Sequence, residues 1–216
     1  MIKVLVVDDD PLVRGGLGLM LGGAVDIEVV GEAADGADVA GAVNRLRPDV
    51  VLMDVRMPVL DGIAATAALS GRPGEHTTAV VILTTFDADE TVLAALRAGA
   101  AGFLLKHTPP EQIVEAVRRA AAGEPVLSPE VTRTVIAMAA RRGPDRGTAT
   151  NRMDLLTERE RDVAHAVAEG LSNAEIAERL HLSRSSIKAT VSSALTRLDL
   201  TNRIQLAIVA HEAGRT

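Results

Sequence analysis

The chain has 216 residues, a formal net charge of -6 and no cysteine, and 47% of its residues are hydrophobic although only 1% are aromatic. These values predict one or two domains with aliphatic cores, and they exclude disulfides and thiolate metal sites. We expect a cytoplasmic protein without a membrane partner, because carboxylates at positions 8–10 come too early for a signal peptide and no apolar run approaches the ~20 residues that span a bilayer.

The first half of the chain alternates short aliphatic segments with helical periods. The predicted strands are rich in Val, Ile and Leu, which is typical of parallel strands buried on both faces. They cover residues 2–7, 27–32, 50–53, 80–84 and 102–105. The helices predicted between and after them cover residues 11–22, 35–46, 62–70, 89–98 and 109–122. Five β-α units predict a doubly wound parallel sheet of five strands.

The first predicted helix begins with Asp10 and Pro11, an order typical of an N-cap followed by a proline in the first turn. Glycines stand at positions 15, 16, 18, 22 and 23. No Lys-Ser or Lys-Thr pair follows them, so they do not match a phosphate-binding loop. We interpret them as positions that allow the helix to pack closely on the sheet.

Reactive side chains stand at the ends of four predicted strands. Asp8 and Asp9 follow the first strand, Asp54 follows the third, Thr84 ends the fourth and Lys106 follows the fifth. Ligands of open α/β sheets bind beyond the carboxyl ends of the strands. Three carboxylates at this edge suit Mg²⁺, which uses few protein ligands and keeps waters for phosphate oxygens. The pattern predicts phosphoryl transfer to Asp54, with Mg²⁺ and Lys106 as positive charges and Thr84 as a donor to the attached phosphoryl group.

The pattern changes after residue 122. Residues 123–152 are predicted to be a linker that contains a helix near 129–140, because RRGPDRGTATNR has no periodicity. The rest of the chain, residues 153–216, is predicted to be an all-α domain of four helices, near 157–169, 173–180, 184–198 and 202–213. Residues 1–122 form the other domain. Thr157 and Glu160 match a capping box, and Ser172 and Ser183 are placed as N-caps.

The second and third of these helices have the pattern of a helix-turn-helix, with apolar residues at spacings of three to five on the inner face. The outer face of the third helix carries small and basic side chains, namely Arg184, Ser185, Lys188, Ala189, Ser192 and Ser193. Small residues allow a helix to enter the major groove, and basic ones reach phosphates or guanine edges. Residues 179–203 contain five Lys and Arg against one Asp, a local basic stripe on an acidic chain.

The motifs VVDDDP, MDVRMPVLDG, ILTTFD and AGAAGFLLK, in this order and at strand ends, resemble a response-regulator receiver domain over residues 1–122. This resemblance implies a sheet with flavodoxin-like strand order. It also implies that a sensor histidine kinase phosphorylates Asp54 in the presence of Mg²⁺. The implied metal ligands are Asp9 and Asp54, Asp8 through a water molecule, and the backbone carbonyl of Arg56.

The same resemblance assigns the residues around the phosphoryl group. Thr84 and Phe103 look like a switch pair, in which the hydroxyl is drawn to the phosphate and the aromatic ring turns inward. Lys106 binds the phosphate. At position 10 the family commonly carries His where this chain has Asp, which fits a residue that is not a metal ligand.

Residues 153–213 resemble a LuxR-type DNA-binding domain, so the whole chain resembles the NarL/FixJ class of response regulators. The resemblance implies base contacts by Lys188, Ala189 and Ser192. It implies phosphate contacts by Arg184 and Arg203, and a homodimer on duplex DNA through the last helix, 202–213.

Three positions of this domain depart from the family pattern. Thr190 replaces a frequent His, and Ser192 stands where close relatives often have a basic residue. Asp199 replaces a common Gly at the end of the recognition helix, a position that favours positive φ.

We therefore expect a transcription regulator, not an enzyme, in which phosphorylation of Asp54 changes dimerisation and operator binding. A first alternative is a Mg²⁺-dependent phosphohydrolase, but no general acid or base stands beside Asp54 in the sequence. A second is a receiver with an RNA-binding output, which the absence of stacking aromatics after Phe103 disfavours.

Overall fold

The computed structural model describes residues 1–70, 78–85, 89–127 and 152–213. The chain divides into two compact units, residues 1–135 and 136–216, and each is described by itself. The helix predicted near 129–140 lies outside the described residues, and the predicted domain boundaries stay predictions. Within the described part of the chain, no helix is both long and apolar enough to cross a membrane.

The first unit is built on a parallel sheet. Its strands are β1 (Ile2–Val7), β2 (Ile27–Ala33), β3 (Val50–Met53), β4 (Ala79–Thr84), β5 (Gly102–Leu105) and β6 (Val126–Leu127). Its helices are α1 (Pro11–Gly22), α2 (Gly36–Leu46), α3 (Gly62–Ser70), α4 (Asp89–Ala98) and α5 (Pro110–Ala121). Side chains of α1 and α5 pack against Val4 and Val6 in one apolar cluster. Because side chains alternate along a strand, Leu5 and Val7 point to the other face of the sheet.

The strand order is β2-β1-β3-β4-β5-β6, and every neighbouring pair is parallel. The flavodoxin-like order of the first five strands is confirmed. The predicted count of five strands is corrected to six, because Val126–Leu127 pairs with the start of β5. Two residues are too few to show a period in the sequence, and they fall in the segment predicted as linker.

The register of the sheet brings the strand ends to one edge. Val7 pairs with Met53, Met53 with Ile82, and Thr84 with Leu105. The residues that follow β1, β3 and β5 therefore emerge side by side. The reversal of strand order between β2 and β3, on either side of β1, makes this edge the expected ligand-binding edge of an open α/β sheet.

The glycines of α1 do not provide close packing. A methyl group added at any of them from position 15 to 22 would meet no other atom within 4 Å. The interpretation of these glycines as helix–sheet contacts is therefore wrong. Close approach occurs instead at Gly62, where a Cβ would lie 2.0 Å from the carbonyl oxygen of Asp54, and at Gly36, where it would lie 2.3 Å from that of Leu60.

The second unit contains helices α6 (Glu158–Ala168), α7 (Asn173–Arg179), α8 (Arg184–Arg197) and α9 (Arg203–Ala213). The predicted N-caps Thr157, Ser172 and Ser183 all accept a hydrogen bond from a backbone N–H in the first turn. Both Thr157 and Ser172 form complete capping boxes, with Glu160 and Glu175. These local bonds begin the helices where the sequence predicts them.

Three successive helices of this unit end in the same left-handed turn. The residues with positive φ are Gly170 (85°), His181 (53°) and Asp199 (51°). After each of them, the next residue donates its N–H five residues back, as in a Schellman motif; Leu200 donates to the carbonyl of Leu195 at 2.8 Å. Asp199 thus has the positive φ expected at this position from the sequence.

Replacing Gly15 by Ala should stabilise the protein by about 0.5–1 kcal/mol, because the residue is exposed within α1 and alanine restricts the unfolded chain. Gly62→Ala should instead destabilise it by about 1–3 kcal/mol, since the added methyl group overlaps the backbone of Asp54. Urea unfolding followed by circular dichroism measures both changes. A loss of stability in Gly15→Ala would contradict the assignment of that glycine to open space.

Candidate metal centre and nucleic-acid interface

Three carboxylates meet at the carboxyl edge of the sheet. One oxygen each of Asp8, Asp9 and Asp54 lie within 4.8 Å of one another. The backbone places them, because the N–H of Asp54 donates to the carbonyl of Val7 at 2.8 Å and continues the β1–β3 ladder. Asp8 and Asp54 are buried, whereas Asp9 is exposed. The predicted cluster is confirmed, and it is open to solvent on the side of Asp9.

Lys106 lies against both buried carboxylates. Its Nζ is 2.6 Å from Oδ2 of Asp8 and 3.3 Å from Oδ2 of Asp54. The N–H of Lys106 donates to the carbonyl of Thr84 at 2.8 Å, so β4 and β5 together fix its backbone. Thr84 itself is buried at the end of β4. The structure therefore brings four of the predicted residues, Asp8, Asp9, Asp54 and Lys106, to one place.

The pKa values of Asp54 and Lys106 are both shifted in this cluster. Burial raises the pKa of Asp54, the charge of Asp8 raises it further, and Lys106 opposes both. Burial alone would lower the pKa of Lys106, but its hydrogen bonds and charge interactions with Asp8 and Asp54 raise it. The ammonium group therefore stays charged beside the Asp54 carboxylate, whose ionisation is made costly by burial. Three hard oxygen donors with one open side fit the ligand preference of Mg²⁺.

The three consecutive aspartates have different roles. Asp10 has extended backbone (φ -82°, ψ 114°), and its Oδ1 accepts a hydrogen bond from the N–H of Leu12 at 2.8 Å. Pro11 follows as the first residue of α1. The prediction that Asp10 is an N-cap is confirmed, and of the three aspartates Asp8 and Asp9 belong to the carboxylate cluster.

Arg14 belongs to the surroundings of the site, and the sequence analysis missed it. Its Nη1 donates to the carbonyl oxygen of Asp8 at 2.7 Å, and its Nε donates to Glu32 at 3.1 Å. The available signal was its spacing, since one helical turn after Asp10 returns the side chain to the start of α1. Arg14 joins the turn after β1 to the end of β2.

Two further predicted residues lie near the cluster in the chain. Phe103 is completely buried in β5, and Arg56 is exposed in the loop that follows Asp54. The switch role of Phe103 and the metal contact of the Arg56 carbonyl stay predictions.

Helix α8 presents the surface that the sequence assigns to nucleic acid. Ile187, Val191 and Ala194 are buried in the apolar cluster of the second unit. The predicted contact residues of this helix share an exposed face and are Arg184, Ser185, Lys188, Ala189 and Ser192. The division into an inner and an outer face is confirmed, while the base and phosphate contacts themselves stay predictions.

Arg203 has a different place from the one predicted. It is buried, with Nη1 donating to Oδ1 of Asn173 and Nη2 donating to the carbonyl of Leu171 at 2.6 Å. These bonds tie the start of α9 to the start of α7. The prediction that Arg203 contacts DNA phosphate is corrected, because its guanidinium is engaged inside the domain.

Glu160 links the first helix of this unit to the recognition helix. Its Oε1 accepts from the hydroxyl of Ser193 at 2.6 Å, and its Oε2 accepts from the backbone N–H of Thr157 at 2.8 Å and lies 3.1 Å from Nε of Arg197. Burial favours the neutral carboxyl, but the hydrogen bonds from Ser193 and Thr157 and the charge of Arg197 lower the pKa of Glu160 to about 2. This carboxylate orients α8 on α6.

Comparison with protein families finds one match in each half of the chain. Residues 4–118 match the response regulator receiver domain, and residues 154–210 match the luxR family of bacterial regulatory proteins. The uncharacterized transcriptional regulatory protein YxjL of Bacillus subtilis is 40% identical, over 99% of this chain and 96% of its own length. The nitrate/nitrite response regulator protein NarL of Escherichia coli is 36% identical, over 97% of this chain and 94% of its own.

Solved structures of similar chains agree with these matches. The response regulator ChrA of a heme-sensing two-component system is 33% identical, with a TM-score of 0.54 over 97% of this chain and 96% of its own. RcsB of Salmonella enterica serovar Typhimurium, bound to promoter P1flhDC, is 25% identical, with a TM-score of 0.58 over 98% of each chain. Both structures extend over both units.

Glu160→Gln should destabilise the second unit at pH 7, and the difference in stability from the wild type should disappear in acid. The folded-state pKa of about 2 lies below the ordinary 4.5, so the stabilisation is present above pH 4.5 and is lost as the pH falls towards 2. Thermal unfolding followed by the methyl signals of Val163 and Ile187 at pH 7, 5 and 3 measures the change. The exposed Glu158→Gln serves as the control, and an equal deficit of Glu160→Gln at all three pH values would contradict the mechanism.

Proposed function

The chain belongs to the response regulators that join a receiver domain to a LuxR-type DNA-binding domain, and we propose that phosphorylation of Asp54 controls its binding to duplex DNA. Its relatives are DNA-binding transcriptional regulators, and this chain has both of their domains. The position of Lys106, within salt-bridge distance of Asp8 and Asp54, is the observation that most supports Asp54 as the phosphoacceptor.

In the proposed reaction, a carboxylate oxygen of Asp54 attacks the phosphorus of a phosphohistidine on a sensor histidine kinase. The new P–O bond forms in line with the breaking P–N bond, whose electron pair stays on the ring nitrogen, and the ring leaves as neutral imidazole because its other nitrogen already carries a proton. Asp8, Asp9, Asp54 and the carbonyl of Arg56 would hold Mg²⁺, which supplies positive charge to the phosphoryl oxygens. The ammonium group of Lys106 supplies the second positive charge.

Thr84 and Phe103 are the proposed switch. Thr84 ends β4, and Phe103 lies in the neighbouring strand β5, where its register partner is Ile82. In this proposal the Thr84 hydroxyl would donate to a phosphoryl group on Asp54, and its displacement would move the neighbouring ring of Phe103. Small shifts of this kind bias a receiver between two conformations.

The proposed output is a homodimer on a DNA operator. The outer face of α8 would lie in the major groove, with Lys188, Ala189 and Ser192 towards bases and Arg184 towards phosphate. Helix 202–213 would form the dimer contact. We assign residues 1–122 to the receiver, 123–152 to the linker and 153–216 to the DNA-binding domain.

Asp54→Asn should abolish phosphorylation by acetyl phosphate and Mg²⁺, because the amide is a poor nucleophile. DNA affinity of the full chain should then stop responding to acetyl phosphate. Phosphate-affinity electrophoresis measures the first effect, and a gel-shift titration measures the second. Asp61→Asn is the matched control, since Asp61 is an exposed residue whose carboxylate accepts from Ala64, a bond that asparagine retains. Undiminished labelling of Asp54→Asn would overturn the assignment of the phosphoacceptor.

Lys188→Gln should weaken, by about tenfold, the binding to duplex fragments that the wild-type chain selects. It should also reduce the slope of log affinity against log salt concentration by about one. Arg179→Gln should bind like the wild type, because Arg179 at the end of α7 pairs with Glu169 at the end of α6, at 2.5 Å. Fluorescence anisotropy over a range of salt concentrations measures both. Wild-type affinity of Lys188→Gln would refute the proposed groove contact, and tighter binding to single-stranded RNA than to DNA would favour the RNA-binding alternative.

A further inference from the structure

The carboxylate of Asp35 joins two separate parts of the receiver domain. Asp35 is the N-cap of α2, and its Oδ1 accepts a hydrogen bond from the N–H of Ala37 at 2.9 Å. The same carboxylate accepts from the N–H of Val59 at 2.8 Å and from that of Leu60 at 3.0 Å. Val59 and Leu60 are 24 and 25 residues further along, in the loop between Asp54 and α3. Two of its three hydrogen bonds therefore come from backbone N–H groups of that loop.

The loop is also held by close backbone contacts at both ends. Gly36, next to Asp35, lies so near the carbonyl of Leu60 that a Cβ there would be 2.3 Å from this oxygen. At the other end, Gly62 packs on the carbonyl of Asp54 and donates its N–H to Val55 at 2.9 Å. Residues 55–61, which we call the acceptor loop, are thus fixed between β3 and the start of α2.

The bonds of Asp35 are of the strong, charge-assisted kind. Hydrogen bonds from the N–H groups of Ala37, Val59 and Leu60 lower the pKa of the Asp35 carboxyl, although burial opposes them. The group is therefore ionised at neutral pH, and a backbone N–H bonded to a carboxylate holds about twice as firmly as one bonded to a neutral acceptor.

We propose that Asp35 is a positioning residue for the metal site: it anchors the acceptor loop, and with it the backbone of Arg56, relative to Asp8, Asp9 and Asp54. The inference rests on the proposed Mg²⁺ site. Residues that orient ligands are worth about 10–100-fold in metal affinity. Asp35 touches no carboxylate of the cluster, so it acts through the loop.

The test uses three replacements of Asp35 in the full chain. Asp35→Ala removes all three bonds. Asp35→Ser keeps an N-cap oxygen for Ala37, but its side chain is too short to hold Val59 and Leu60. Asp35→Asn keeps Oδ1 as the acceptor for Ala37 and Leu60, but its amide nitrogen replaces Oδ2 and cannot accept from Val59. Calorimetric titration with MgCl₂ alone should show Mg²⁺ binding about tenfold weaker for the Ala and Ser variants, and a smaller loss for Asn.

A second measurement is independent of the metal. Hydrogen exchange of the Val59 and Leu60 amides, followed by NMR without Mg²⁺, should accelerate in the Ala and Ser variants and less in the Asn variant. Asp49→Ala is the matched control, because Asp49 also accepts a backbone N–H, that of Lys3 at 2.8 Å, but at the opposite edge of the sheet. Its Mg²⁺ affinity should equal that of the wild type.

Asp9→Ser separates failure of this inference from failure of the metal site. If Asp9→Ser leaves Mg²⁺ affinity unchanged, the proposed site is wrong, and the positioning role is wrong with it. If Asp9→Ser weakens binding but Asp35→Ser does not, the metal site stands and Asp35 does not position it. Weakening by Asp35→Ala together with wild-type affinity in Asp35→Ser would assign the effect to the cap of α2 and overturn the role of the loop.

Discussion

Two buried carboxylates share one ammonium group, and the chemistry of the receiver domain depends on this excess of negative charge. The parallel register carries Asp8, Asp54 and Lys106 to the same edge, and burial makes the charges of Asp54 and Lys106 costly. Lys106 compensates for only part of the negative charge, since Asp9 adds a third carboxylate at the exposed side. A divalent cation would supply the rest, and the site would then attract a phosphoryl group instead of repelling it.

The arrangement of this cluster was predictable because one rule connects it to the sequence. Aliphatic runs indicate parallel strands, and parallel strands bring the residues after them to one edge. The supporting contacts were not predictable in the same way. Arg14 to Asp8 and Asp35 to Leu60 join different elements, and a single sequence carries no periodic signal for such pairs. The glycines of α1 were misread because composition does not distinguish a packed helix face from an open one.

The DNA-binding domain shows the same division between local and distant contacts. The N-caps of α6, α7 and α8 were predicted correctly, because each involves residues at most three positions apart. The bond from Ser193 to Glu160 spans 33 residues and was missed. Arg203 was misplaced for a related reason: a positive charge in a basic stretch suggests a phosphate contact, whereas its guanidinium is buried against Asn173 and Leu171.

Two of the three departures named in the sequence, Thr190 and Asp199, are accommodated by the backbone within and just after the recognition helix. The hydroxyl of Thr190 donates to the carbonyl of Ser186 at 2.9 Å within α8, so it is turned along its own helix. Asp199 occupies the left-handed turn, and Leu200 still closes that turn on Leu195. Neither change removes a residue from the exposed face. The proposed readout of DNA therefore falls on few side chains, in which Lys188 is the charged member beside the small residues Ala189 and Ser192. A contact set of this kind leaves much of the affinity to phosphate contacts and to the second copy of the domain.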